Sequence, residues 1–102
     1  MLNTMKILLV CAGGMSTSIL MKKMKAYCAS KGEDLTIEAI GKGDIEEHWR
    51  NYDCVLIGPQ ISYALDELKE AVGIPVEKIP TLDYGRGNAE NVMKLAHRIT
   101  GK

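Results

Sequence analysis

Residues 11 to 18 combine a thiol, two adjacent glycines and three consecutive hydroxyl side chains, a set that could accept and hold a phosphoryl group. They follow the apolar run of residues 7–10 and precede an amphipathic helical pattern, so they are predicted to connect a buried strand to a helix. The glycines allow a tight turn, and the unpaired backbone N–H groups of the helix's first turn attract anions. The residues of this loop are Cys11, Ala12, Gly13, Gly14, Met15, Ser16, Thr17 and Ser18.

The predicted position of Cys11 at a helix N-terminus favours the nucleophilic thiolate, because the positive end of the helix dipole stabilises a negative charge there. Phosphoryl transfer needs positioning and charge stabilisation more than covalent assistance, so amides and hydroxyls can hold the transferred group. A cysteine at a strand end is often only a small buried hydrophobe, but the glycines and hydroxyls beside Cys11 favour a nucleophile. Residues 12–18 are then the predicted phosphate-binding residues. Cys28 lies on the apolar face of the first predicted helix and Cys54 begins a central strand, so both are predicted to lie in the core.

Four apolar runs alternate with helical periodicity, which predicts a single α/β domain with a four-stranded parallel sheet and helices on both faces. The predicted strands are residues 6–10, 35–40, 54–58 and 76–79. The first and third are continuously apolar and are placed at the centre, whereas charged residues interrupt the other two, so the predicted order is 2-1-3-4. Of the four predicted helices, the first ends at Gly32 and the second starts at Asp44, whose carboxylate is expected to cap it. The third and fourth present apolar faces that begin at Ile61 and Val92.

In this order the chain reverses between the first and third strands, and ligands of parallel sheets bind at such switch points. The loops 11–18, 58–62 and 81–88 are predicted to meet there. The candidate contacts for a partner or for the phosphate in the second and third loops are Pro59, Gln60, Tyr63, Tyr84 and Arg86. Asp83 is interpreted as a turn residue in preference to a general acid.

Composition excludes several classes of protein. The chain has 102 residues with 13 basic and 13 acidic side chains, which predicts one domain over residues 1–102, with 1–4 as a flexible leader, and no nucleic-acid partner. No apolar run is long enough to insert into a membrane, and no signal peptide is apparent. Three widely spaced cysteines fit neither a disulfide framework nor a zinc site, so we expect reduced thiols, a cytoplasmic location, and no metal or cofactor.

The motifs resemble those of a known family over nearly the whole chain. They are Cys11, the run Gly14-Met15-Ser16-Thr17-Ser18, the run Gly58-Pro59-Gln60-Ile61, and Tyr84-Gly85. In this order they look like the cytosolic IIB component of the bacterial phosphoenolpyruvate-dependent sugar phosphotransferase system, lactose/cellobiose class. A departure is Gly13, where the family often has alanine.

The resemblance implies a relay in which Cys11 accepts a phosphoryl group from a phosphohistidine of the IIA protein. The group then passes to a sugar held by the membrane IIC protein, so the chain meets the sugar only through IIC. A chain of this length is more similar to the cellobiose and chitobiose subgroup, which implies a β-linked disaccharide.

Two other interpretations stay open on the residues. A thiol hydrolase of the low-molecular-weight tyrosine phosphatase or arsenate reductase type shares the strand, cysteine loop and helix. The phosphatase requires an arginine six positions after the cysteine, where this chain has Thr17. An anion-binding regulatory module would use the same amides, but would not need Cys11. Because no Lys or Arg lies between Cys11 and Met21, hydrolysis is expected to be slow, with partner groups completing the charge balance.

Overall fold

A computed structural model describes residues 4–11 and 16–102, with Ser16 described by its backbone alone. The strands are β1 (Thr4–Val10), β2 (Asp34–Ile40), β3 (Cys54–Ile57) and β4 (Val76–Lys78). The helices are α1 (Ser16–Ser30), α2 (Ile45–His48), α3 (Leu65–Ala71), α4 (Thr81–Arg86) and α5 (Ala89–Thr100), and 3-10 turns cover Lys42–Asp44, Trp49–Asn51 and Pro59–Ala64. All strand pairs are parallel in the order β2-β1-β3-β4, so the predicted fold class and topology are confirmed.

The central strands are apolar on both faces because helices cover both sides of the sheet. Ile7 and Leu9 of β1 face a core that includes residues of α1 and α5. Leu8 and Val10 face a second core that includes residues of α2 and α3. The alternation of side chains along a strand therefore divides one apolar run between two cores.

The strand limits differ slightly from the predicted ones. Thr4, which the sequence predicts to lie in a flexible leader, begins β1 and pairs with Asp34 of β2. The backbone pairing extends to this side of the apolar run because it does not depend on apolar side chains. Residues 1–3 lie outside the described residues. At the other end of the sheet, Gly58 and Ile79 lie one residue beyond β3 and β4. Their N–H groups nevertheless donate to Val10 at 3.0 Å and Ile57 at 2.9 Å.

Two helix predictions need correction. Asp44 does not cap α2 with its side chain, because it is the last residue of a 3-10 turn and has φ −100° and ψ 1° instead of the extended backbone of a cap. Residues 81–88, predicted as a loop, contain α4, which ends where Gly87 adopts a left-handed φ of 62°. At the end of α1, Gly32 has φ 72°, as its predicted helix-ending role requires.

The two cysteines predicted to lie in the core are buried. Cys28 lies on α1 and Cys54 begins β3, and each side chain is almost fully covered. Burial, with a smaller effect of Glu33, raises the pKa of the Cys28 thiol to about 11. Burial, followed by the charge of Asp53, raises the pKa of the Cys54 thiol to about 12. Within the described residues, no helix combines the length and the apolar character needed to cross a bilayer.

These raised pKa values predict that the free energy of unfolding falls as pH rises above 9, the ordinary pKa of the group. Above that pH the thiols ionise in the unfolded chain while they stay protonated in the folded one, and below it both states hold the proton. Urea unfolding measures the free energy of unfolding at about pH 8 and about pH 10. Between these pH values, the Cys28→Ala/Cys54→Ala variant should lose less of this free energy than the parent chain. The titrations of lysine and tyrosine side chains affect both proteins equally, so they cancel when the two losses are compared. An equal loss in the two proteins would contradict the prediction.

Candidate functional site at the carboxyl edge of the sheet

Cys11 is the first residue after β1, and backbone hydrogen bonds fix its position between the two neighbouring strands. Its N–H donates to the carbonyl of Ile40 at the end of β2, at 3.2 Å. On the other side, the Gly58 N–H donates a hydrogen bond to the carbonyl of Val10. The side chain of Cys11 is partly exposed, unlike those of Cys28 and Cys54. The thiol that the sequence singles out is therefore the accessible one among the three cysteines.

The predicted phosphate-binding loop is described in part. Ala12, Gly13, Gly14 and Met15 lie outside the described residues. Ser16 is the first residue of α1, and Ser18 is exposed in its first turn. The structure thus places the N-terminus of a 15-residue helix a few residues after Cys11, as the sequence predicts.

Thr17 has a different environment from its neighbours. Its side chain is 4% exposed, and it is the single polar side chain in the buried set of the described residues. Its hydroxyl oxygen lies 3.0 Å from the hydroxyl oxygen of Tyr84, a hydrogen bond in which either group could donate. The position where a phosphatase would carry an arginine is therefore occupied by a small buried side chain that contacts α4.

Gly58 is closely approached by two of the predicted site residues. A Cβ atom at this position would lie 2.9 Å from Oε1 of Gln60 and 3.6 Å from Cε2 of Tyr84. A larger residue would displace the Gln60 amide, so the glycine lets this amide and the tyrosine ring lie against the backbone after β3. The predicted meeting of the three chain segments is thus visible in the contacts among Thr17, Gly58, Gln60 and Tyr84.

Other predicted residues lie in less central positions. The carboxylate of Asp83 accepts a hydrogen bond of 2.9 Å from the side-chain amide of Asn91 on α5, which favours its structural interpretation. Arg86 is exposed at the end of α4. Pro59 is partly buried at the start of a 3-10 turn. Tyr63 lies in the same turn and is 76% exposed, with the Lys42 ammonium 5.8 Å from its ring centre.

Among the described residues, three large hydrophobic side chains are exposed, and all three lie in segments that follow the carboxyl ends of strands. They are Ile19 in α1, Tyr63 after β3 and Leu82 in α4, and we call them the apolar rim. Sequence reasoning found Tyr63 alone. Ile19 could have been noticed because it is an aliphatic residue off the buried stripe of its helix, whereas Leu82 was hidden by the assignment of residues 81–88 to a loop.

A cavity of about 530 Å³ lies at the opposite edge of the sheet. Thr4 and Lys6, at the start of β1, are among its lining residues, whereas Cys11 follows the end of that strand. The cavity is therefore separate from the candidate site.

Comparison with known proteins decides the family. Residues 6–95 match the family described as PTS system, Lactose/Cellobiose specific IIB subunit. The chain belongs to this family. Proteins of this family are components of sugar phosphotransferases, so the IIB chain is part of an enzyme system, and the resemblance noted in the sequence is confirmed.

Individual relatives cover nearly the whole IIB chain. It is 46% identical over 94 residues to the PTS system oligo-beta-mannoside-specific EIIB component of Bacillus subtilis (strain 168), an alignment that covers 89% of this chain and 91% of the relative. It is 34% identical over 101 residues to the PTS system cellobiose-specific EIIB component of Lactococcus lactis subsp. lactis (strain IL1403), covering 91% of this chain and 94% of the relative.

Solved structures agree with the fold of the IIB chain. The cellobiose-specific phosphotransferase IIB component from Borrelia burgdorferi superposes with a TM-score of 0.81 at 41% identity, covering 97% of this chain and 94% of that one. The lactose-specific IIB domain from Streptococcus pneumoniae gives a TM-score of 0.78 at 17% identity, covering 90% and 97%, and it supports the fold alone.

Proposed function

We propose that this IIB chain is a phosphoryl carrier in the cytoplasm that uses Cys11 to move a phosphoryl group from a IIA phosphohistidine to a sugar bound by the membrane protein IIC. The observation that carries the proposal is the position of Cys11. It is a partly exposed thiol held at the end of the central strand, shortly before the N-terminus of α1. Cys28 and Cys54 are buried and have raised pKa values, which makes them poor nucleophiles.

In the first step the Cys11 thiolate attacks phosphorus in line with the N–P bond of the phosphohistidine. The S–P bond forms, and the electron pair of the N–P bond goes to the imidazole nitrogen, which takes up the proton released when the Cys11 thiol ionises. In the second step a sugar hydroxyl oxygen attacks phosphorus, and the electron pair of the S–P bond returns to Cys11. The hydroxyl proton goes to a base or to water outside this chain. Residues 12–18 hold the phosphoryl oxygens in both steps, through backbone N–H groups and through the hydroxyls of Ser16 and Ser18.

For the sugar, we propose a β-linked disaccharide such as cellobiose or chitobiose. The support is the specificity that two relatives are named for, one for oligo-beta-mannosides and one for cellobiose. The chain meets the sugar when it docks on IIC, and it needs no cofactor for transfer.

The relay predicts that Cys11→Ser abolishes phosphorylation, because a serine hydroxyl is far less ionised than a thiol and is a poor acceptor. Incubation with phosphorylated IIA and intact-protein mass spectrometry should show one added phosphoryl group on the parent chain and none on the variant. Cys28→Ala is the matched control and should be labelled like the parent. A labelled Cys11→Ser protein, or a label located on His48 or His97, would contradict the assignment.

A carrier should also differ from a thiol hydrolase in its reaction with water. Since residues 12–20 contain no Lys or Arg and Thr17 is buried, the transition-state charge of hydrolysis has no guanidinium clamp in this segment. With p-nitrophenyl phosphate, the parent chain should release nitrophenol no faster than Cys11→Ser. Turnover that depends on Cys11 would instead favour the phosphatase-like alternative.

We further propose that the apolar rim is part of the surface that docks IIA, together with Pro59, Gln60, Tyr84 and Arg86. Large exposed hydrophobic side chains are uncommon on soluble proteins when they cluster, and at interfaces they supply most of the binding free energy. Each rim residue lies in a segment that follows the carboxyl end of a strand, and Cys11 follows the end of β1 at the same edge, so a partner that reaches the thiol approaches these segments.

Replacement of rim residues should weaken docking without changing the fold. Ile19→Ser and Leu82→Ser should each raise the KM for phosphorylated IIA about fivefold, the effect of losing about 1 kcal/mol at an interface. Ala26→Ser, also exposed on α1, is the control and should leave KM unchanged. A KM within twofold of the parent for both rim variants, about the error of such assays, would exclude the rim from the docking surface.

A further inference from the structure

Little of the helix α4 is covered by the core. All six of its residues are described and none is fully buried; Tyr84 alone among them packs against the core shared with α1 and α5, so polar contacts also hold the helix. Its backbone receives a hydrogen bond of 3.4 Å from the Lys23 ammonium at Arg86, and Asp83 receives one of 2.9 Å from Asn91. Both of these contacts are exposed to water, where a single hydrogen bond stabilises little.

The contact between Thr17 and Tyr84 differs from the other two because it is partly buried. The Tyr84 ring also lies against Gly58, so one side chain of α4 contacts the first turn of α1 and the backbone after β3. These are the segments that follow the two central strands. Tyr84 therefore links all three segments that surround the end of β1.

We infer that the Thr17–Tyr84 hydroxyl pair is a positioning device for phosphoryl transfer, which holds α4 in a fixed place beside the first turn of the helix that follows Cys11. The inference rests on the proposed carrier function and deepens it. Thr17 acts in this role through Tyr84. The pair sets the position of α4, and with it the rim residue Leu82, relative to the proposed phosphate-binding segment.

Stability and transfer should respond differently to loss of the pair. Tyr84→Phe removes the partner that the structure gives to a buried hydroxyl, which destabilises the fold, whereas Thr17→Val together with Tyr84→Phe removes both hydroxyls and restores part of the stability. Positioning is lost in Tyr84→Phe, in Thr17→Val and in the double variant. If the role were merely structural, the rate of transfer would follow the melting temperature across the variants. If the pair positions α4, the rate stays low in the double variant even though its melting temperature recovers.

The experiment measures single-turnover phosphorylation of Cys11 by phosphorylated IIA, with melting temperatures of the same proteins. We expect Tyr84→Phe and Thr17→Val each to slow transfer about tenfold, and the double variant to be slowed by about the same factor instead of the product of the two. Thr17→Ser keeps the hydroxyl and should recover the parent rate to within about twofold. Should Thr17→Val melt below the assay temperature, Thr17→Ala takes its place with the same expectation.

Several outcomes would overturn the inference. Multiplicative effects in the double variant would mean that the two hydroxyls act independently. Slow transfer in Thr17→Val together with the parent rate in Tyr84→Phe would assign the Thr17 hydroxyl to the phosphate itself. Transfer rates that follow the melting temperatures would mean that the pair has a structural role only.

Failure of the carrier proposal is recognised separately, because then the parent chain also remains unphosphorylated. In that case the alkylation rate of Cys11 by iodoacetamide tests the pair. A rate changed equally in the two single variants and in the double variant supports the device, whereas additive changes or no change reject it.

Discussion

The parallel pairing of β1 with a strand on each side is the constraint on which the site depends. The Cys11 N–H continues the ladder toward β2, and the Gly58 N–H continues it toward β3, so the backbone on both sides of the thiol is fixed by hydrogen bonds. Because β1 is buried on both faces, its end cannot shift without disturbing two cores at once. A nucleophile attached to such a strand has a defined position before any partner arrives, which lowers the cost of bringing reacting atoms into line.

In the proposed relay, the charge near the thiol favours storage of the phosphoryl group over its release to water. A helix N-terminus contributes roughly half a positive elementary charge, and a thiophosphate carries nearly two negative ones. In the proposed relay, the remaining charge is stabilised by groups that the partner protein brings to the site. The proposal therefore couples transfer to docking, because it places the lowest chemical barrier in the complex.

Sequence reasoning succeeded where the signal is hydrophobic and local. Central strands such as β1 carry continuous apolar runs, and Gly32 ends α1 in the left-handed conformation that only glycine adopts readily. It failed for α4, because a six-residue helix with no buried side chain has no apolar periodicity to detect, and Gly85 within it argues for a turn. Asp44 was misread because its identity fits a cap while its backbone does not.

The candidate site shows the same division. Cys11 and the segments that meet near it could be predicted from the order of strands, since carboxyl ends of parallel strands share one edge. The contact between Thr17 and Tyr84 joins residues 67 positions apart, and no local pattern encodes it. The exposure of Ile19 and Leu82 likewise depends on how complete helices pack, which a single sequence does not state.

All residues of α4 are described, and none of its side chains is buried. This helix is therefore under a different evolutionary constraint from the two cores. Substitutions in a core change stability and are mostly removed by selection, whereas exposed positions tolerate replacement with little effect on folding. Most of α4 can therefore vary while the sheet and its two cores stay the same. The surface that this helix presents beside Cys11 can therefore diverge within the family while the scaffold around the thiol is retained.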